Sequence, residues 1–522
     1  MKVITSKEAV ELIKDRDTLL IPGVTNCYAE EIITLLAEKY SKEKSPSHLQ
    51  VIWQGAPGIL GGTRGLSCLC QDGLMDVIVC GHVAGCGVPM IEYCRELKAE
   101  FYNFPQGVLI QMMRAITMGQ PGVITKIGLG TYMDPRVDCG QMNAISKQQK
   151  IELLTIDNEE YLLYKRPEKV GVSVVRGTYM DEDGNISIDN EAYKTSFMMA
   201  AACAKATGGI VIAQVEHIVK RGTLHPKRIE IPGFLVDYAY VADPYYHMQT
   251  GDTQYSPCFA GDIKIPMEAI PPIPMNEKKV MCRRAAMEIG KGHIVNLGVG
   301  TPEFISNVCA EEGCIDEFLL TSECGSIGGV PGHAHDFGAA YNAQATIESE
   351  DMMCIYDGGI LNEGFLGFIQ VGPNGNVNSS NRKGLGVGIG GFMNVAGGAS
   401  KVCFISSLTA GTKGNQPVYE FGDGKMKIVK EGNIKKFVNM IDQISFNGSE
   451  TLKLGKEILY ITDRCVFELR KEGLTLIEIA PGIDLQKDIL DQMEFTPIIA
   501  PDLKEMPAEI FNENWGGLKE LF

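Results

Sequence analysis

The sequence predicts an α/β protein made of two related open α/β domains with mostly parallel sheets, arising from a duplicated half and facing each other across a cleft. Three observations predict it: a strand–turn–helix order that occurs twice, two further pairs of matching segments in the same order, and a proline-rich stretch between the copies. Thr5-Ser6-Lys7-Glu8 spells a capping box ahead of Ala9-Val10 and Leu12-Ile13, so the chain opens with an amphipathic helix. Thr18 to Ile21 reads as a strand, Pro22-Gly23 as a turn, and Ala29 to Lys39, with Ile32, Ile33, Leu35 and Leu36 inside, as a helix. The same order returns as a helix from Glu277 to Ile289, a strand from His293 to Leu297, Gly298 and Gly300, and a helix through Pro302, Phe304, Ile305 and Val308.

The second matching pair sets Val174-Val175-Arg176-Gly177 leading to Asp183-Gly184-Asn185-Ile186-Ser187 beside Phe368-Ile369-Gln370-Val371-Gly372 leading to Asn374-Gly375-Asn376-Val377-Asn378. Both read as hairpins about a tight turn. The third sets the strand Ile210 to Val215 beside the strand Val402 to Ser406, each after a Gly-Gly pair. The first half is longer between its first two echoes, which places an insertion near residues 100 to 170. Pro257, Pro266 and Ile270-Pro271-Pro272-Ile273-Pro274 suit a stiff connector rather than a helix. The expected division is residues 1–275 and 276–522.

A chain of 522 residues with 45% hydrophobic content can fill two cores. Its 65 acidic against 48 basic residues give a formal charge of -17, which repels nucleic acid and anionic membrane surfaces; neither is expected as a partner. Cys68 and Cys70 lie two apart and Cys80 and Cys86 six apart, and such spacings form no pair of Cys-x-x-Cys knuckles. Reduced thiols and no metal are expected. No run reaches the roughly 18 apolar residues of a membrane helix, and Met1 to Thr5 lack an apolar core, so a soluble, cytoplasmic protein is expected.

Glu323 is the leading chemical candidate. It lies in Thr321-Ser322-Glu323-Cys324-Gly325-Ser326-Ile327-Gly328-Gly329-Val330-Pro331, alone among small residues just after the apolar Phe318-Leu319-Leu320. A strand emptying into glycines puts the next side chain at a sheet's end, where α/β enzymes collect their chemistry. There a carboxylate is partly stripped of water and a substrate carbonyl can approach it closely, which is the position of a nucleophile. A turn or helix-capping acid is the commoner role of a Glu in such a loop.

Gly386-Val387-Gly388-Ile389-Gly390-Gly391-Phe392 weakens helix and strand alike, and its bare N–H groups could hold a phosphate or an oxyanion. Gly388, Gly390 and Gly391 are the candidates. Asn394, Gly397, Gly398 and a strand are expected after it rather than a helix, against a dinucleotide fingerprint. Phe104-Pro105-Gln106-Gly107 precedes a helical run and leaves Gln106 pointing from a loop, where its amide could donate to an oxyanion or merely brace the loop. His333 and His335, with Asp336 after them, suit surface or substrate-entry positions better than a metal site. Asp357-Gly358-Gly359 reads as a turn. Arg382 and Lys383 are candidates for phosphate contact, with solvated surface charge as the default.

Glu323 through Gly328-Gly329-Val330-Pro331, Phe337-Gly338-Ala339-Ala340-Tyr341-Asn342, Tyr356-Asp357-Gly358-Gly359 and Gly388-Ile389-Gly390-Gly391-Phe392 resemble the class I CoA-transferases. The likeness is to the fused single-chain type of the propionate and acetate CoA-transferases. It extends to Asn103-Phe104-Pro105-Gln106-Gly107 and to Gly128-Leu129-Gly130-Thr131-Tyr132-Met133-Asp134-Pro135, nearly the whole chain. The resemblance implies an α-subunit-like first half and a β-subunit-like second half that carries the catalytic Glu. It further implies that Glu323 attacks an acyl-CoA to give a mixed anhydride and then a glutamyl-CoA thioester, which an incoming carboxylic acid reverses. By the same analogy Gln106 would donate to one oxyanion and a backbone N–H of Gly388 to Gly391 to the other.

Coenzyme A is then a substrate, with no cofactor held permanently, and a homo-oligomer, dimer or tetramer, is expected. Cys324, and Gly332 to Asp336 with His333 and His335, are bulkier and more polar than the family's small residues. They are therefore substrate-pocket candidates, compatible with a larger or hydroxylated acid. An acyl-CoA hydrolase using the same Glu, and a non-catalytic CoA- or nucleotide-binding protein, are the other readings.

Overall fold

The computed structural model describes residues 1–25, 27–59, 64–382 and 384–522. Two ten-stranded sheets organise it, the first drawn from strands before Val241 and the second from strands after Ile294. Along the first run Lys2–Val3, Tyr238–Val241, Ile210–Val219, Val172–Asp181, Thr18–Ile21, Leu49–Trp53, Met75–Cys80 and Glu100–Asn103, each parallel to its neighbour. The second has a parallel centre of Leu319–Thr321, Ile294–Leu297, Glu363–Gly367, Lys401–Ile405 and Glu457–Ile461, with antiparallel pairs on both flanks. Sequences such as Met75-Asp76-Val77-Ile78-Val79-Cys80 and Lys401-Val402-Cys403-Phe404-Ile405 form these strands because a sheet covered on both faces favours nearly continuous apolar runs.

The duplication is visible in the pairing. Thr18–Ile21 lies parallel to Leu49–Trp53 through the helix Glu30–Glu43, and Ile294–Leu297 lies parallel to Leu319–Thr321 through the helix Ile305–Glu311. The matching hairpins form too, as Val172–Asp181 with Ile186–Ser187 and Gln370–Val371 with Val377–Asn378. Residues 122 to 165, within the expected insertion, build a separate three-stranded antiparallel sheet. The capping box at Thr5 and Glu8 is present.

Two local expectations are corrected. A helix, Phe392–Gly398, does follow the glycine loop, because burial of Phe392, Met393, Val395 and Ala396 outweighs the poor helix propensity of its glycines. Gln106 is the first residue of the helix Gln106–Thr117 rather than a loop residue. Pro105, at φ -54°, presets the chain so that the helix starts immediately after it.

The halves are stitched at their strand ends. Val83 N–H donates to the Val387 carbonyl at 2.9 Å, and Ile389 and Gly390 N–H groups donate to the Gly81 carbonyl at 3.0 and 2.8 Å. Gly388 forms an antiparallel bridge with His82. It has φ +86°, and a Cβ there would lie 2.7 Å from His82 Cα, so only glycine fits. Among the described residues no helix is long and apolar enough to cross a membrane.

Candidate active site

Glu323 stands two residues past the end of Leu319–Thr321, at the edge of the second sheet that meets the first half. It is 7% exposed, and its Oε2 has no hydrogen-bond partner among the described residues. Burial raises its pKa above the ordinary carboxylate range, with its own backbone N–H and the Asn296 amide pulling part of the way back. No cation enters that balance. The strand register explains Asn296: it pairs with Thr321 on the neighbouring strand and donates to Tyr356 Oη at 3.0 Å, while Tyr356 donates to Thr321 Oγ1 at 2.9 Å.

The glycine loop reaches this carboxylate. A Cβ on Gly391 would lie 2.8 Å from Glu323 Cγ and 2.9 Å from its Oε1. One residue earlier, the Gly390 carbonyl accepts from Gln106 N–H at 2.8 Å. Gln106, 5% exposed, holds a side-chain Nε2 that is also buried without a partner among the described residues. Gly107 N–H donates to Asn394 Oδ1 at 3.1 Å and Asn394 Nδ2 to Asp357 at 2.8 Å, which locks the two helix starts together. Asp357 ends the helix Ser349–Asp357 and accepts this bond, so it does more than form the expected turn.

Glu323, Gln106, Gly388, Gly390 and Gly391 are therefore gathered at one place from both halves. Of the three glycines, Gly390 has its N–H committed to the Gly81 carbonyl and is no free donor, because the loop needs that bond to anchor on the first half. The N–H groups of Gly388 and Gly391 make no hydrogen bond to a described residue. Cys324 is fully buried, turned beneath Gly338 and away from open space, with its Sγ 2.8 Å from where a Gly338 Cβ would sit. His333 and His335 make no hydrogen bond to Glu323, and both ring nitrogens of His333 are buried without a partner among the described residues. His333 stacks on Phe304 with ring centroids 4.9 Å apart, and His335 pairs with Asp252 at 3.0 Å. Lys383 lies outside the described residues.

Asn296, Asn394 and His82 were missed from sequence. His82 carries the same signal as Glu323, a polar residue alone among small ones just past an apolar strand, Met75–Cys80. Among the described residues no group of three or more His, Cys, Asp or Glu could hold a metal ion.

Chemically, a desolvated carboxylate facing unpaired amide donors can attack an electrophilic carbonyl without a separate base. Its raised pKa fixes the sign of the pH dependence. Rates that need the ionised form are expected to fall on acidification at a pH above the ordinary glutamate value of 4.5. A kcat/KM profile inflecting at or below that value would contradict the burial argument.

A profile of the coenzyme A transferase family matches residues 3–242. The chain is 42% identical over 527 residues to caffeate CoA-transferase of Acetobacterium woodii, covering 100% of this chain and 99% of that protein. It is 40% identical over 515 residues to acetate CoA-transferase YdiF of Escherichia coli (strain K12), covering 98% and 95%. Its fold matches the crystal structure of the acyl-CoA transferase YdiF apoenzyme from Escherichia coli O157:H7 with a TM-score of 0.92 at 38% identity, over 99% of this chain and 97% of that one. Likeness of that extent, on a fold with a buried carboxylate between its halves, shows that the chain belongs to the coenzyme A transferase family and is an enzyme that passes CoA between an acyl-CoA and an acid.

Proposed function

We propose that the enzyme moves CoA between a short-chain acyl-CoA and a free carboxylic acid by a ping-pong route through Glu323. The observation that carries this reading is the buried Glu323 carboxylate, packed on Gly391 with one oxygen unpaired, while the equally unpaired amide of Gln106 arrives from the other half on the Gly390 side of the same loop. A Glu323 oxygen adds to the thioester carbonyl and the CoA thiolate leaves, giving a mixed anhydride. The thiolate then adds to the glutamyl carbonyl and the carboxylic acid's carboxylate leaves, giving a glutamyl-CoA thioester. An ionised carboxylate has no proton to lose, so no Ser–His–Asp set is required.

Orientation can supply on the order of 7–11 kcal/mol of the barrier, and each oxyanion donor roughly 3 kcal/mol. In this reading Gln106 serves one oxyanion and Gly388 or Gly391 N–H the other, while the pantetheine and nucleotide of CoA contribute binding remote from the reacting carbon. Residues 1–275 and 276–522 act as the two subunit-like halves of a cytoplasmic homo-oligomer. Coenzyme A enters as substrate. Acetate and caffeate, the acids that the relatives are named for, are the first acceptors to assay.

The test is to incubate the enzyme with acyl-CoA alone, trap with hydroxylamine or borohydride, and map the product by mass spectrometry. Modification at Glu323 is expected; unmodified enzyme under conditions of confirmed turnover overturns the covalent route. Acceptor dependence separates transfer from hydrolysis by the same Glu: release of free CoA at one rate with and without a carboxylic acid would favour the hydrolase. Gln106→Ala is expected to lower kcat by about 10²–10³-fold with KM little changed, read in steady-state assays. Gln106→Glu is expected to be more damaging, because a second buried carboxyl beside Glu323 would repel its ionised form.

A further inference from the structure

His82 sits two residues past the strand Met75–Cys80, at the strand end of the first half that faces Glu323's end of the second. Its main chain is held from three sides: its N–H donates to the Gly55 carbonyl at 3.2 Å, its carbonyl accepts from Trp53 Nε1 at 2.9 Å, and it bridges Gly388. Its ring is oriented as well. Gly85 N–H donates to His82 Nδ1 at 3.2 Å, which makes Nδ1 an acceptor and leaves the proton of the neutral ring on Nε2. That N–H has no partner among the described residues, and the residue is half-buried rather than sealed. Burial alone holds the imidazole down to about 4, so the ring is neutral at pH 7 and stays a one-proton donor.

The Cδ2 side of the ring lies against the glycine loop. His82 Cδ2, bonded to Nε2, lies 4.0 Å from where a Cβ of Gly390 would sit, and the next residue, Gly391, is the one packed on Glu323 Oε1. Gly81, just before His82, would place a Cβ 3.6 Å from the Cα of Gln106. The imidazole and the start of the Gln106 helix thus both meet Gly390, the residue before the one packed on Glu323. A neutral imidazole is suited to this position, because it donates without adding a charge that would quench the nucleophile.

We propose that His82 is a further catalytic residue, whose Nε2–H donates a hydrogen bond to the oxyanion that forms on the Glu323 carbonyl when the CoA thiolate adds to it. The inference rests on Glu323 being the acylated residue. In the step, the sulfur–carbon bond forms at Glu323 Cδ and the carbonyl π pair moves to oxygen. That pair then returns to re-form the carbonyl as the carbon–oxygen bond to the leaving carboxylate breaks. His82 keeps its proton throughout.

The experiment measures the rate of glutamyl-CoA formation from acyl-CoA, quenched and trapped at Glu323, in wild type, His82→Leu and His82→Gln. His82→Leu is expected to lose about 10²–10³-fold in this rate with the KM for acyl-CoA within about twofold, and His82→Gln, which restores an N–H donor, to regain about tenfold. Adduct formation at Glu323 in wild type with His82→Leu equally fast overturns the role of His82 and leaves that of Glu323 standing. A loss in both variants alike, accompanied by lowered melting temperature, also overturns it, since bracing of the loop would suffice. Absence of any Glu323 adduct in wild type removes both. Should His82→Leu fail to fold, nitrogen-15 NMR of the histidine-labelled wild type decides: an Nε2-protonated ring whose signal shifts when the glutamyl-CoA form accumulates is expected, and an Nδ1-protonated or unresponsive ring overturns the proposal.

Discussion

Glu323→Gln is expected to lower acyl transfer by at least about 10⁴-fold while raising the melting temperature at pH 7. The two effects share a cause. Folding encloses the carboxyl with one oxygen unpaired, and burial raises its pKa above the unfolded value of 4.5. A group whose pKa is raised on folding binds its proton more tightly in the native state. Its favourable contribution is complete below the unfolded pKa and is lost as pH rises through the folded one. At pH 7 the native protein therefore carries a carboxylate that it would hold more cheaply as an acid, and the neutral amide removes that burden. The stability gap between Glu323→Gln and wild type should close as pH approaches 4, where both side chains are neutral. Thermal melts across pH 4 to 8 check this. A variant less stable than wild type at pH 7 would mean that the carboxylate has a partner which the geometry does not contain.

The second large effect is expected of Gly391→Ala. Gly391 has φ -80° and ψ -5°, a conformation that alanine adopts freely, so the backbone raises no objection. The added methyl would instead sit 2.8 Å from Glu323 Cγ and 2.9 Å from Oε1, closer than real contacts allow. Either the carboxylate or the loop must move, and a displacement near 1 Å costs on the order of 10²-fold in a reaction that depends on alignment. The expected result is a kcat fall of about that size with a modest fall in melting temperature, because alanine is a poorer N-cap than glycine by roughly 1 kcal/mol. Wild-type kcat in Gly391→Ala would show that the loop does not position Glu323.

Much of the fold is legible in the chain because its signals are local. The strand–turn–helix units around Thr18–Ile21 and Ile294–Leu297 show in apolar runs and in the turn residues after them, while the register of the parallel neighbours is set only by the packed sheet. The helix Phe392–Gly398 was hidden for the opposite reason. Three of the eight residues from Gly391 to Gly398 are glycine, and only packing in the core makes the segment helical. The rule that singles out Glu323, a polar side chain alone beyond an apolar strand, applies equally to His82, but there the neighbouring cysteines and glycines read as an ordinary loop. His333 and His335, adjacent in sequence to the Glu323 segment, take partners that no local pattern announces, Phe304 for the one and Asp252 for the other.

What the amino-acid order determined by itself is the doubled α/β plan and the isolation of one acid at a strand's end, since both follow from hydrophobic periodicity and from the placing of glycines. Which partners that acid meets was decided only when the halves came together. Gln106, Asn103 and His82 lie more than two hundred residues before the glycine loop, and hydrogen bonds such as Gly390 to Gly81 and Gln106 to Gly390 bring them to it. The commitment of one glycine amide to the scaffold, and the exclusion of water that raises the pKa of Glu323, belong to that closure. Neither solvation nor the use of a backbone donor is encoded in any single segment.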